Sequence, residues 1–402
     1  MSSFRPTLVI TAYNRPHSLR RLLRSLDRVR SEKAPRLVIS IDYSGCSEVL
    51  AVAEAHEWKG EKTIIRRPER LGLKKHIMTC GDLAAEYGAV ILLEDDLVAA
   101  PGLYEYATEA LNFFDGAPSI AGISLHSYCY NESSTLPFYS LAADNSNYFA
   151  QLPSSWGEMW TAGQWQNFKD WLVARPNFDD CRLPANVREW PETSWKKEFL
   201  RYMIDTDRYF VYPGVSFTAN CGEAGENVAL KSAKWVPRMI SAPVNFEFQY
   251  LYLRDSSFIY DSHLQLLPEL LRTANARLSE HDFCVDLYGC KVRELSRDAI
   301  VLTTLPARRV VESWALELRP PELNVLLNIA GEGIHLCRVR DIISYQLPLS
   351  LYRYYYPVDE WNLPAIMPPL RQQLAARIGH YLRKLKSGTG SSCTVLRNND
   401  SH

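Results

Sequence analysis

Apolar positions near the start of this chain fall into short unbroken runs, and each run is followed by a stripe of apolar residues at helical spacing. Thr7-Leu8-Val9-Ile10-Thr11-Ala12, Arg36-Leu37-Val38-Ile39-Ser40-Ile41 and Ala89-Val90-Ile91-Leu92-Leu93 are dominated by apolar and β-branched residues, with Thr63-Ile64-Ile65 a shorter example. Runs without polar alternation predict strands buried on both faces. Residues 18–28 carry leucines at 19, 22, 23 and 26 with arginines between them, and 48–56 and 70–87 have similar stripes. These predict amphipathic helices. Strand and helix in turn predict an α/β fold with a mostly parallel sheet, right-handed crossovers and helices on both faces. Residues 119–125 add a further strand.

Beyond about residue 235 the pattern changes. Residues 264–278 predict an amphipathic helix, and 283–289, 299–303, 310–318 and 324–329 read as short β segments ahead of Gly331 and Gly333. The implied organisation is a catalytic domain over 1–235, a linker with helix over 236–281, a smaller β-rich accessory domain over 282–345, a helical segment over 346–386 and a polar tail over 387–402. Acceptor binding and self-association are both open for the accessory domain. In 370–386, Leu374, Ile378, Tyr381, Leu382 and Leu385 follow helical spacing among Arg371, Arg377, Arg383, Lys384 and Lys386. Such a helix suits an anionic membrane surface or the protein's own body.

Composition adds exclusions. The chain is 47% hydrophobic and 23% charged, an ordinary globular balance, and its net charge of −1 gives no global attraction to nucleic acid. Its 9 cysteines form no CxxC pair, which points to a reduced, cytoplasmic protein without a structural zinc site. Neither a signal peptide nor an apolar run of the roughly 20 residues needed to span a bilayer is present, so a soluble or peripheral protein is expected.

The chemistry gathers where the apolar runs end. Ala89–Leu93 runs straight into Glu94-Asp95-Asp96. Adjacent carboxylates at the carboxyl end of a parallel strand attract a hard divalent cation, which also bridges phosphate oxygens, or form a solvated acidic turn. The other strand ends suit a nucleotide diphosphate. Asp42 could accept from a base N–H or simply form a turn; Asn14 and Arg15 could hold ribose or phosphate; Lys74 and Lys75 open a helix whose amino end favours diphosphate oxygens.

With these residues in view, residues 8–15, the Asp42 strand end, Arg70-Leu71-Gly72-Leu73-Lys74 and the stretch 93–106 resemble a GT-A fold glycosyltransferase. The stretch 93–106 is similar to the inverting N-acetylglucosaminyltransferase that begins hybrid N-glycan branching and to bacterial family 2 type transferases. The resemblance covers roughly residues 5–230. It implies that Glu94-Asp95-Asp96 stands for the acid (DXD) motif, with Asp96 on Mn2+ or Mg2+ and Glu94 and Asp95 on nucleotide and sugar. It also implies that Asp42 reads uracil, with Thr11, Tyr13 and Arg70 on the same nucleotide-sugar loops. Trp156-Gly157, in a Ser-rich loop, resembles a sugar or acceptor contact of the bacterial relatives, which usually continue with an aromatic where this chain has Glu158.

An inverting transfer needs a carboxylate to take the acceptor proton, and Glu158, Asp170, Glu198, Asp205 and Asp207 are candidates. Tyr212-Pro213 and Asn220-Cys221-Gly222 resemble family landmarks downstream of the base, which brings residues 193–199 into its place. Alignment on Phe199 and Arg201 selects Glu198, whereas alignment on Trp195 puts Lys196 there. Gly222 and Gly225 suggest a loop that closes over the donor. The expected function is a metal-dependent inverting glycosyltransferase using a UDP-sugar and a glycan or glycolipid acceptor, as in bacterial surface polysaccharide synthesis at the inner membrane face. A nucleotidyltransferase lacks support, because Thr11–Asn14 is not a glycine-rich basic loop. A glycan-binding scaffold on an inactive transferase fold is the alternative.

Overall fold

A computed structural model describes residues 4–174, 177–221, 236–240 and 247–356. The loop glycines 222 and 225, the basic helix expected over 370–386 and the polar tail lie outside the described residues.

The N-terminal half alternates as its pattern predicts. β1 (Thr7–Ala12), α1 (Pro16–Leu26), β2 (Leu37–Ile41), α2 (Ser47–Ala55), β3 (Lys62–Arg66), α3 (Leu73–Gly81), α4 (Leu83–Tyr87) and β4 (Ala89–Glu94) follow one another. The single helix expected over 70–87 is two, broken at Asp82. Trp165 explains the break: its indole lies where a Cβ on Gly81 would stand, and its Nε1 donates to Asp82 at 2.8 Å.

Next come β5 (Leu97–Ala99), α5 (Leu103–Phe113), β6 (Ile120–Ser124), the small hairpin β7 (Tyr130–Asn131) and β8 (Leu136–Pro137), and β9 (Asn147–Ala150). They are followed by β10 (Glu158–Thr161), α6 (Ala162–Ala174), α7 (Ala185–Arg188), α8 (Trp195–Asp205), β11 (Tyr209–Pro213), β12 (Thr218–Asn220) and β13 (Ile259–Tyr260). The main sheet has the order β13-β9-β11-β6-β10-β4-β1-β2-β3. β1, β2, β3 and β4 are mutually parallel, whereas β10 runs antiparallel between β4 and β6. This inserted strand is absent from the sequence reading, which placed Trp156-Gly157 in a Ser-rich loop and assigned no strand after it.

Side chains alternate across the sheet. Leu8, Ile10, Leu37, Ile39, Ile91 and Leu93 pack with the leucines of α1, with α2 and with α5. Val9, Val38, Val90 and Leu92 face α3, α4, α6 and α8, where Trp160, Trp165 and Trp195 are buried as core. That second core continues without a break into the C-terminal region through Val285, Leu302, Trp314 and Leu336.

The C-terminal region comprises α9 (Pro268–Ala274), β14 (Phe283–Val285), β15 (Ile300–Thr303), β16 (Glu312–Trp314), α10 (Glu322–Leu326), β17 (Ile334–Arg338) and α11 (Leu349–Tyr355). β14-β15-β17-β16 form a separate sheet, so this region is β-rich as expected. Two local expectations are corrected. The helix read over 264–278 starts at Pro268, because Pro at the first helical position has its φ set for a helix and Leu264 sits at φ 53°. The β segment read over 324–329 contains no strand: its first half ends α10, whose first turn follows Pro320-Pro321, and its second half is a turn; Asn324 Oδ1 accepts from the N–H groups of Glu317 and Leu318 and fixes the turn before the helix. No helix among the described residues is long and apolar enough to cross a membrane, and the described cysteines are all free.

Gly122 in β6 supplies the room for the aromatic layer: a Cβ there would lie 2.6 Å from both Phe210 Cζ and Trp160 Nε1. Gly122→Ala is expected to destabilise the fold by about 1–3 kcal/mol through overpacking. A urea midpoint equal to that of the parent, at unchanged m-value, would contradict this packing.

Candidate functional site

Parallel pairing brings the carboxyl ends of β1, β2 and β4 to one edge, with Thr11 opposite Glu94 and Ala12 opposite Ile41, the residue before Asp42. Because β10 runs the other way, its first residue arrives at that same edge: Glu158 stands across from Leu92 on one side and Ser124 on the other. The strand exchange thus adds a carboxylate to a place already holding three.

Arg15 is the counter-ion of this edge. Its guanidinium reaches Asp95 Oδ1 at 2.5 Å and Asp96 Oδ2 at 2.8 Å. The Tyr13 N–H donates to Asp95 Oδ2 at 3.3 Å, and Arg21 donates to the Asp96 carbonyl at 3.2 Å. Thr11 is buried and donates its hydroxyl to the Leu93 carbonyl. Asn14 is exposed, and Arg70 is exposed with its guanidinium 5.1 Å from the Tyr13 ring centre.

The acids differ in their surroundings. Burial pushes Asp95 up to about 6 against the pull of Arg15. Burial and the charge of Asp96 also raise Glu94. Glu158 is buried with neither carboxylate oxygen partnered among the described residues. Burial, then the negative charge of Glu94, raise it well above the usual carboxylate range, with Lys196 opposing. Burial thus favours its protonated form, which can donate a hydrogen bond. His126, just past β6, is fully buried and held down to about 3 by burial, with Nε2 unpartnered among the described residues. Trp156 is half-buried and meets His126 edge-on at 4.9 Å. Gly157, at φ 98°, packs where a Cβ would lie 3.0 Å from Thr218 Cγ2, so a side chain is excluded both by conformation and by space.

Asp42 is buried and already engaged. Its Oδ1 accepts from the N–H groups of Leu71 at 2.8 Å and Tyr43 at 3.0 Å, and its Oδ2 from Gly72 at 3.0 Å. It therefore ties the loop before α3 to the end of β2, and Gly72 at φ 76° makes the turn possible. Lys75, in the first turn of α3, is exposed. Lys74 instead donates to Glu198 Oε1 at 3.1 Å and to the Glu192 carbonyl at 2.8 Å.

α8 leads into β11, which is parallel to β6, so the first turn of α8 lies at the carboxyl edge of the sheet and its last turn at the opposite edge. Glu198 is in that first turn, buried, between Lys74 and Arg201 Nη1 at 3.4 Å. Asp205 and Asp207 stand at the wrong edge, bonded to Trp171 and Gln151 respectively. Asp170 is bonded to Gln166 within its own helix. Topology therefore sets Asp205 and Asp207 aside, while Glu158 and Glu198 stand at the carboxyl edge.

Two residues near the acids were not singled out as site residues from sequence. Lys196, met only as the residue that spoils one alignment, acts electrostatically on Glu94, Glu158 and His126. His126 carried a readable signal, since it follows a predicted strand at its carboxyl end.

The described residues contain no group of three or more His, Cys, Asp or Glu placed to hold a metal ion. Asp96 Oδ1 is nevertheless buried and without a partner among them. One free carboxylate oxygen fits a divalent cation whose shell is completed by waters and diphosphate oxygens, the usual arrangement for Mg2+ at nucleotide sites.

Residues 7–142 match the model of glycosyl transferase family 2. Residues 7–142 are thus those of a glycosyltransferase domain, and the mostly parallel sheet flanked by helices is consistent with a GT-A fold. The domain match spans about a third of the chain and includes every strand end that bears Asp42, Glu94, Asp95 and Asp96. No curated protein matches the chain by sequence. Solved structures similar to parts of it include GalNAc-T7 with UDP, GalNAc and Mn2+, at 10% identity over 53% of this chain and 43% of that one, TM-score 0.37. TarS of S. aureus is 14% identical over 53% of this chain and 36% of its own, TM-score 0.35. The mannosyltransferase PcManGT from Pyrobaculum calidifontis, with GDP-Man and Mn2+, is 15% identical over 44% and 48%, TM-score 0.29. The chain spans less than half the length of each of these proteins. At TM-scores below 0.5 the transferase domain is identified by its family match.

The unpartnered Glu158 yields a pH prediction. A carboxyl raised in the folded state binds more protons folded than unfolded, so its contribution to stability falls as pH rises from the unfolded carboxylate value near 4.3 towards the raised one. Glu158→Gln removes that titration. Its melting temperature relative to the parent is expected to be higher at pH 8 than at pH 5; a difference independent of pH would show that Glu158 is not held neutral.

Proposed function

We propose that the chain is a metal-dependent, inverting glycosyltransferase that moves a sugar from a nucleotide-sugar, a UDP-sugar of the hexosyl or N-acetylhexosaminyl type, to a hydroxyl of a glycan or lipid-linked glycan. The observation that carries this reading is the buried, unpartnered Asp96 Oδ1 at the carboxyl end of a central parallel strand, inside a family 2 domain. A cytoplasmic enzyme working at the inner membrane face, in surface polysaccharide synthesis, is the setting that fits.

When bound, Mn2+ or Mg2+ held by Asp96 would neutralise the diphosphate and make it a better leaving group. The chain's own residues do the rest. The loop tied by Asp42 forms the nucleotide side, with Thr11, Tyr13, Asn14 and Arg70 around it. Arg15 holds Asp95 and Asp96 in place, while Lys75 and the amino end of α3 offer donors to phosphate oxygens. Trp156 offers an apolar face to a sugar, and neutral Glu158 a hydrogen-bond donor. Glu198 takes the proton of the acceptor hydroxyl as that oxygen attacks the anomeric carbon from the face opposite the diphosphate. A diphosphate that draws Lys74 towards itself releases one oxygen of Glu198 for this task.

The test is calorimetric titration with UDP, GDP and CDP, with and without Mn2+, for the parent and for Asp96→Asn shown to melt normally. UDP binding that needs Mn2+ and disappears in Asp96→Asn is the expected outcome. Absence of nucleotide binding in the parent under all conditions would remove the reading. In a donor-consumption assay with a panel of glycan acceptors, Glu198→Gln is expected to lower kcat by about 10^2–10^4 while UDP affinity is kept; retained turnover would pass the role of base to another group.

A further inference from the structure

α1 turns one face inward and a different one outward. Leu19, Leu22, Leu23 and Leu26 are fully buried in the core, so the helix cannot rotate, and His17, Arg20, Arg24 and Arg28 are exposed. With Arg21 they line an open cleft of about 500 Å3. Among the described residues none of Arg20, Arg24 and Arg28 forms an ion pair, and the nearest acid in sequence, Asp27, pairs with His56 at 3.2 Å. Other surface arginines do form such pairs, as in Arg30 with Glu105, Arg36 with Glu61 and Arg188 with Glu294. Arg20, Arg24 and Arg28 stand at spacing four, where like charges repel one another along a helix. The chain as a whole has a net charge of −1, so the concentration is local.

We propose that this cleft binds a linear polyanion with phosphates in a row, carried by the acceptor. Guanidinium forks match phosphate oxygens two at a time. A spacing of four residues repeats the charge about every 6 Å along the helix, a ladder suited to successive phosphates. The cleft also adjoins the transferase edge, because Arg21, one of its lining residues, donates to the Asp96 carbonyl. A flat bilayer does not enter a cleft, and no large hydrophobic residue is exposed between His17 and Arg28 for insertion. Single-stranded nucleic acid favours aromatic platforms, and that stretch contains no aromatic besides His17. The word acceptor rests on the transferase reading; the phosphate site does not.

The experiment uses the full chain and the triple variant Arg20→Gln, Arg24→Gln, Arg28→Gln, which leaves Arg15 and Arg21 in place. Binding of fluorescent linear inorganic polyphosphate is measured over a salt series, with polyglutamate of equal charge, phosphatidylglycerol vesicles and UDP with Mn2+ in parallel. Support consists of polyphosphate bound by the parent at least tenfold more tightly than by the variant and than polyglutamate, with a log–log salt slope shallower by about 2 in the variant. Equal polyphosphate binding by parent and variant, no binding at low salt, or arginine-dependent binding of vesicles alone would each overturn the proposal. Unchanged UDP binding in the variant separates the cleft from the donor site. If UDP binds neither protein while polyphosphate still distinguishes them, the transferase reading fails and the phosphate site stands.

Discussion

Negative charge at the end of β4 is the constraint that organises this protein's working edge. A strand buried on both faces delivers Asp95 and Asp96 into a place with little solvent, where burial alone raises the cost of ionising them. Arg15 meets both at once, and it can do so because β1 is the immediate neighbour of β4 and its turn lies directly over the acids. Truncating a buried partner of this kind leaves the other charge uncompensated, which is far costlier than loss of an exposed pair. The turn after β1 is thus fixed by electrostatics as much as by its own Asn-Arg-Pro chemistry.

The same edge explains which parts could be read in advance. β1 to β4 and their helices were legible because unbroken β-branched runs and leucine stripes each have one period, and the parallel order follows from their alternation. β10 was not legible. It has only Glu158–Thr161, begins with a charge, and is antiparallel, so nothing in its own composition says that it sits between β4 and β6. Its placement is a tertiary fact: Gly122 opposite and the aromatic residues Trp165, Phe199 and Phe210 around Trp160 create the slot. Residues 324–329 were misread for a different reason, since the Pro-Pro turn before them outweighs the β propensity of Val325 and Ile329.

Site residues show the same division. The positions of Asp42, Glu94, Asp95 and Asp96 at strand ends followed from pattern alone, but their partners did not. Asp42 spends its hydrogen bonds on the loop it anchors, and Lys74 meets Glu198 across more than a hundred residues of chain. The continuity of one core from Val9 through Trp160 to Trp314 is similarly invisible in sequence, where a change of pattern near residue 235 suggests separate bodies. Packing joins what composition divides.

A consequence follows for how such an edge accepts an anionic donor. Arg15 is committed to Asp95 and Asp96, and Lys74 to Glu198, while Lys196 stands in the field of Glu94 and Glu158. The positive groups nearest the acids are thus already balanced by them. A diphosphate therefore gains little from these cations unless it displaces an acid or arrives with a cation of its own, and the unpartnered Asp96 Oδ1 is an acid oxygen left to share such an ion. On the proposed function, displacement of Lys74 and capture of a divalent ion would be two parts of one charge balance, linking occupancy of the proposed donor side to the state of Glu198.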